Sequence, residues 1–388
     1  MKKILFVLFF VLIHLHTMAQ KGIFKRGTIS PSVYKEQLSY TRVDKLIYVT
    51  VEIKGKEYVF LVDTGAPSTI RKGLDVDAVF LERLSIMDAM QNTQEVEYVT
   101  IPAVKMGNLT FENFVFMRED LSVFDDLGID GILGGNMTAK SVWDFDLYHD
   151  AIVISSHFDT QWKTANFSCL KVKKTAIGTP LLTLTYFDQV KEKGIYFDTG
   201  YNGLFYLSAI MFEKVKPYAS HYITGEGVLS TNAFGVSSGE TALLPLSMKV
   251  GKQLIPTFLA DVEEDEESNL GVEWLSYYRV ILHGNKFYFA PYENKKFEAN
   301  FSGKGLKTRI ENGELMVTFI WHNSPAHQAG IQVGDTIQVV NGQNVGQLTL
   351  TEKEKLKEQL QSSPDVTLEI SRINTEIVLK EEVLLKGK

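Results

Sequence analysis

The feature that most constrains this chain is a repeat of two short elements in the same order. Val59-Phe60-Leu61-Val62-Asp63-Thr64-Gly65 is matched by Gly194-Ile195-Tyr196-Phe197-Asp198-Thr199-Gly200. Each is a β-branched and aromatic run that ends in Asp-Thr-Gly. Further on, Ile132-Leu133-Gly134 is matched by Asn269-Leu270-Gly271. Gly134 lies 71 positions after Asp63, and Gly271 lies 73 positions after Asp198. A single Asp-Thr-Gly reads as a turn, because Asp and Gly serve turns. Two copies, each behind an apolar strand and each followed by an apolar-Gly element at nearly equal distance, indicate a duplicated structural unit. Each unit then ends in a comparable strand, Val142 to Asp146 and Arg279 to His283.

Alternation at period 2 predicts strands over most of the first 290 residues. Tyr48 to Ile53 and Glu57 to Val62 form a pair around Lys54-Gly55-Lys56. Glu95 to Met106 and Phe111 to Met117 form another around Gly107-Asn108, and Leu181 to Tyr186 pairs with Ile195 to Asp198. A short helix is expected near Ala209 to Val215. The reading is a mainly β chain with two lobes, residues 28–160 and 165–293.

This organisation resembles the aspartic proteases. The two-lobed single chain is similar to the pepsins, and the short lobes are similar to retroviral-type (retropepsin-like) proteases. The resemblance implies two β-barrel lobes with Asp63 and Asp198 as the catalytic dyad. Carboxylates held ~3 Å apart cannot both ionise and share one proton. The ionised one takes a proton from water, and the other polarises the substrate carbonyl. It further implies that Thr64 and Thr199 cross-brace the two loops, and that Gly65 and Gly200 let the backbone turn tightly beneath the carboxylates. The apolar-Gly elements are expected to pack behind those loops.

Three positions depart from the family pattern. Ala66 follows the first Gly, as in retroviral enzymes, where pepsins have a hydroxyl residue. Tyr201 follows the second Gly, where a small residue is usual, and it puts the geometry of Asp198 in question. His283 stands where the first copy has Asp146, and reads as a surface change at a strand end. A flap is expected over Ile86 to Val99 with Gln91-Asn92-Thr93 at its tip, opposed by a Gly-rich loop from Gly225 to Gly235. The acidic run from Asp261 to Glu267 reads as a solvated loop. The scattered histidines give no metal-ligand spacing, and no cofactor or metal is expected.

Beyond a polar linker, residues 291–302, the grammar changes. Ser324-Pro325-Ala326-His327-Gln328-Ala329-Gly330-Ile331, then Gly334-Asp335-Thr336-Ile337 and Val339-Val340-Asn341-Gly342, resemble the PDZ domains attached to bacterial exported proteases. The match spans residues 303–386, with a short helix over Glu352 to Leu360. Such a domain holds an extended peptide beside a strand and a helix, its terminal carboxylate bound by backbone N–H groups. Gly303-Lys304-Gly305-Leu306 is the expected carboxylate loop, with Lys304 and Lys307 as supporting charges.

The first 19 residues read as a signal peptide: Lys2 and Lys3, ten apolar residues from Ile4 to Ile13, and small residues at Thr17 and Ala19. That run is too short to span a bilayer. Export with one cysteine, Cys169, fits a bacterial periplasmic or secreted protein. The 40 basic and 47 acidic residues leave a formal charge of −7, which argues against a nucleic-acid partner. Gly22 to Leu38 is either a pro-segment or an N-terminal strand. The expectation is a monomeric, exported aspartic endopeptidase acting on peptides or proteins, with a PDZ domain for peptide C-termini. The rival is a catalytically silent peptide-binding protein on the same scaffold.

Overall fold

The computed structural model describes residues 20–87, 93–159, 162, 166–232, 235–264 and 267–387. The expected signal peptide, flap-tip residues Gln91 and Asn92, Ala233 and Phe234, and Asp265 and Glu266 of the acidic run lie outside the described residues. Over the described residues the fold is mainly β, in one 9-stranded, one 6-stranded and one 14-stranded sheet with a 2-stranded ribbon.

Both repeat units build the same core. In the first, Leu46–Ile53 turns through Lys54 and Gly55, both at positive φ, into Lys56–Asp63, with Ile53 opposite Lys56. The apolar-Gly element Gly131–Gly134 lies parallel on the other edge of that strand, Gly131 beside Phe60 and Gly134 beside Asp63. Phe60, Leu61 and Val62 are therefore enclosed and fully buried. Each such side chain contributes about 1.5–3 kcal/mol. In the second unit, Pro180–Tyr186 turns through Phe187 and Asp188, again at positive φ, into Val190–Asp198. Asn269–Gly271 lies parallel to it, Tyr196 beside Asn269 and Asp198 beside Gly271. The near-equal spacing seen in the sequence is the length of chain needed to leave each Asp-Thr-Gly strand and return alongside it.

The strands that end the two units meet each other. Val142–Asp146 pairs antiparallel with Tyr278–His283, Trp143 opposite Leu282 and Phe145 opposite Val280, at the centre of the 6-stranded sheet. Asp144 is buried there, and Arg279 from the other unit binds it through two bonds of 2.9 and 2.6 Å. Arg279 also reaches Asp146 at 3.1 Å. Nothing in the sequence reading anticipated this clamp. His283 is half-buried and stacked on Phe158, so it is not a plain surface change.

The segment Gly22 to Leu38 is woven into the 9-stranded and 6-stranded sheets. Phe24 packs edge-on against Tyr98, Thr28–Ser30 pairs with Leu109–Glu119, and Lys35–Gln37 pairs with Ala151–Ser155. The linker expected at residues 291–302 is also structured. Phe297 packs on Trp274, Tyr277 and Phe258, and Asn300–Gly303 pairs with Glu382–Lys386.

The C-terminal region has its own core around Leu315, Ile337, Leu356, Leu368 and Leu379. Its helix Leu350–Ser362 begins with a capping box between Thr349 and Glu352 and buries Leu356 and Leu360, one turn apart. This region shares a sheet with the second repeat unit. Strand Ile223–Asn232 pairs with Glu314–Trp321, Gly225 opposite Trp321 and Gly227 opposite Phe319. Residues 225–232 of the Gly-rich segment are thus part of a strand at a seam rather than a loop. A side chain at Gly227 would meet the Thr318 carbonyl at 2.2 Å, and its φ is +131°. The seam is sealed by Leu229, Leu243, Phe319 and Trp321.

Candidate active site

Two strand ends bring Asp63 and Asp198 face to face. Gly65 and Gly200 report the closeness: a Cβ on Gly65 would lie 2.4 Å from Asp198 Cγ, and one on Gly200 2.2 Å from Asp63 Oδ2. Neither glycine has a positive φ. The chain turns at both, as expected, but without a left-handed conformation; what demands glycine there is room for the carboxylate of the other unit.

The two threonines interlock below. Thr64 Oγ1 donates to the Phe197 carbonyl at 2.6 Å and accepts from the Thr199 N–H at 3.1 Å. Thr199 Oγ1 donates to the Val62 carbonyl at 2.7 Å and accepts from the Thr64 N–H at 3.0 Å. Both side chains are fully buried. Four bonds, two in each direction, join the units at the one place where their relative position sets the carboxylate geometry. Behind them the apolar-Gly elements hold each loop in the same way: Gly135 N–H donates to the Ala66 carbonyl and Val272 N–H to the Tyr201 carbonyl, each at 2.8 Å.

The carbonyls of Tyr201 and Ala66 are held alike, although their N–H groups have different partners. The Tyr201 ring turns away from the dyad into its own unit, where it is buried edge-on to Tyr206 and lies against Gly203 and Gly271. With the ring there, Asp198 keeps its bonds to Gly200 N–H and Asn269 Nδ2.

The carboxylates have different partners. Asp63 Oδ1 accepts from Gly65 N–H at 2.8 Å and Ala66 N–H at 3.0 Å. Asp198 Oδ1 accepts from Gly200 N–H at 2.8 Å, and its Oδ2 accepts from Asn269 Nδ2 at 2.9 Å. Burial, and next the Asp198 charge, hold the Asp63 carboxyl well above the ordinary carboxylate range; the two N–H donors oppose this only in part. Two facing carboxyls of which one resists ionisation are equipped to carry one proton between them. In the sequence Asn269 stands out only within the repeat. The signal that marks it is the mismatch with Ile132, a buried polar residue where the other copy is apolar.

Residues 49–137 match the family model described as aspartyl protease, and residues 293–371 match that described as PDZ domain. The chain carries an aspartyl protease domain and a C-terminal PDZ domain. The aspartyl protease match includes the first Asp-Thr-Gly and Ile132-Leu133-Gly134 and ends before the second copy. No curated protein matches the chain.

The expected flap is a hairpin of the aspartyl protease domain. It is longer than anticipated, Val79–Met87 paired with Thr93–Met106. The acidic run is not wholly a solvated loop: Asp261 to Glu263 close the strand Gln253–Glu263, and burial raises Asp261 to about 6.

In the PDZ domain, strand Leu306–Glu311 pairs with Glu314–Trp321 and lies near helix Leu350–Ser362. The four residues expected to form a carboxylate loop precede or begin that strand. Gly303 sits in the ribbon opposite Glu382, and Gly305 receives the Trp321 N–H on its carbonyl. Leu306 packs on the domain core. Lys304 is buried, and its ammonium donates to the Ser363 carbonyl just past the helix. Lys307 lies over the Phe319 ring at 4.7 Å. Lys304 is thus not a free surface charge, whereas Lys307 is exposed.

Proposed function

We propose that the protein is an aspartic endopeptidase that hydrolyses peptide bonds with Asp63 and Asp198. In this reading one proton is shared by the dyad. The ionised carboxylate removes a proton from a water held between the two groups. That water attacks the scissile carbonyl carbon, while the protonated carboxyl donates to the carbonyl oxygen. The tetrahedral intermediate collapses as a proton passes to the leaving nitrogen, and no covalent bond to the enzyme forms. The observation that carries the reading is the four-bond threonine interlock beneath two carboxylates, each fitted against the glycine of the opposite unit.

The PDZ domain is read as a dock for a substrate or partner peptide. It would be held as an added strand on Leu306–Glu311 with its terminal carboxylate near residues 303–306. Because both Asp-Thr-Gly triplets lie in one chain, the active unit is taken to be a monomer. Export to a bacterial periplasm or medium is taken from the sequence of residues 1–19.

The test is hydrolysis of a peptide library by the wild type, Asp63→Asn and Asp198→Asn. Cleavage by the wild type and its loss in both folded variants supports the peptidase. A folded wild type that binds peptides and cuts none supports the silent peptide-binding scaffold.

A further inference from the structure

The two repeat units differ at one polar position beside the dyad. Asn269 occupies the place held by Ile132 in the first unit, as the pairings of Gly131–Gly134 with Lys56–Asp63 and of Asn269–Gly271 with Val190–Asp198 show. Ile132 is fully buried and apolar, and Asn269 is 5% exposed. A buried amide destabilises a core unless hydrogen bonds compensate it. The Asn269 carbonyl oxygen has no such bond, and its Nδ2 donates to Asp198 Oδ2. A local rule is thus broken in the core, and the bond made there goes to a candidate catalytic group.

The rest of the loop explains what that bond supplies. In the first unit, the N–H after the glycine, that of Ala66, donates to the Asp63 carboxylate. In the second, the Tyr201 N–H faces the Asp198 backbone carbonyl at 3.4 Å, and the Tyr201 ring is turned away. Asn269 provides Asp198 with a donor from the neighbouring strand. Asp63 Oδ2 has no corresponding side-chain donor and is buried without one.

We propose that Asn269 is a positioning residue that makes Asp198 the carboxylate that carries the negative charge, leaving the shared proton on Asp63. Asp63 then donates to the substrate carbonyl, and Asp198 removes the proton from water. The ionisable groups around Asp198 are Asp63 across the cleft, Tyr196 on its own strand and Tyr201 in its loop. Glu267 lies near Tyr196, and Asp261, Glu263 and Glu273 near Tyr201. Lys45 pairs with Glu273, and Lys307 and Lys45 face Asp261, so these acids are partly offset; the Asn269 amide is the side-chain donor that reaches the Asp198 carboxylate itself. This inference rests on the aspartic peptidase reading for its mechanistic meaning, but its charge assignment can be measured without turnover.

The experiment titrates the full chain labelled with 13C at the aspartate carboxyl carbons. Wild type and Asn269→Leu are compared by NMR, with Asp63→Asn and Asp198→Asn used to assign the dyad. An amide N–H to an ionised oxygen favours the singly ionised dyad, so its loss should raise the first apparent pKa by about one to two pH units. The second step, in which Asp198 is already ionised, should move less. If peptidase activity is present, the acid limb of kcat/KM should shift upward by the same amount, with the basic limb nearly fixed. Asn269→Ala, which leaves space in place of added apolar bulk, carries the same expectation if the leucine variant does not fold. An unmoved or lowered first pKa in a folded variant overturns the proposal, whatever the activity. The expected shift in the variant, together with no hydrolysis by the wild type, overturns the peptidase reading alone.

Discussion

Replacing Thr199 with Val keeps the shape of the side chain and removes only its hydroxyl. The change withdraws the donor to the Val62 carbonyl and the acceptor for the Thr64 N–H, bonds of 2.7 and 3.0 Å in a fully buried site. A buried polar group left without its partner costs about 1–3 kcal/mol, so two together amount to about 2–6 kcal/mol. Thr64→Val removes the mirror pair, the Phe197 carbonyl and the Thr199 N–H, and should cost about as much. The double variant should cost less than the sum of the two, because the bonds form one network. Thr199→Ser retains the hydroxyl and should stay within about 1 kcal/mol of wild type. The assay is the denaturant midpoint with an unchanged m-value, followed by kcat/KM on a cleaved peptide. Activity should fall more than stability explains, because a displacement of ~1 Å between reacting groups costs about a hundredfold. A Thr199→Val protein within about 0.5 kcal/mol of wild type and with undiminished kcat/KM would refute the interlock as the device that sets the dyad.

Two further outcomes follow from contacts between elements distant in the sequence. Arg279→Met should destabilise by about 3–5 kcal/mol near neutral pH, because it leaves the Asp144 charge buried and unpaired. Burial already raises the Asp144 carboxyl and Arg279 opposes that, so the variant's Asp144 pKa rises further. The extra penalty therefore applies above that pKa and shrinks as acid protonates Asp144; urea midpoints measured between neutral and acidic pH should converge with wild type, and parallel curves would refute the argument. Gly227→Val puts a Cβ 2.2 Å from the Thr318 carbonyl at a φ of +131°, so it should open the seam between Ile223–Asn232 and Glu314–Trp321 while the PDZ core survives. Hydrogen exchange should rise selectively at residues 223–229 and 317–321, and unchanged protection there would show that the seam tolerates a side chain.

The sequence alone determined what depends on local periodicity and on recurrence. The strands before each Asp-Thr-Gly were legible because β-branched and aromatic residues lie in short runs ended by turn residues. The helix Leu350–Ser362 was legible from the spacing of Leu356 and Leu360, and the PDZ resemblance from its Gly-Asp and Asn-Gly turns. The duplication at matched spacing also singled out the two aspartates as a pair. Tertiary structure alone decided what depends on which surfaces meet. The glycines of the two triplets are small because each faces the other unit's carboxylate, a reason absent from their own backbone angles. The Tyr201 ring is accommodated in its own core, against Tyr206, Gly203 and Gly271. Arg279 finds Asp144 only because the ends of two units pair across the molecule. Gly225 and Gly227 read as loop residues, since glycine is permissive, until a PDZ strand is laid against them. Asn269 shows the division most clearly. The repeat marks it as the odd residue out, but only the meeting of two parallel strands puts its amide on the Asp198 oxygen, because a hydrogen bond is defined by the position of both partners.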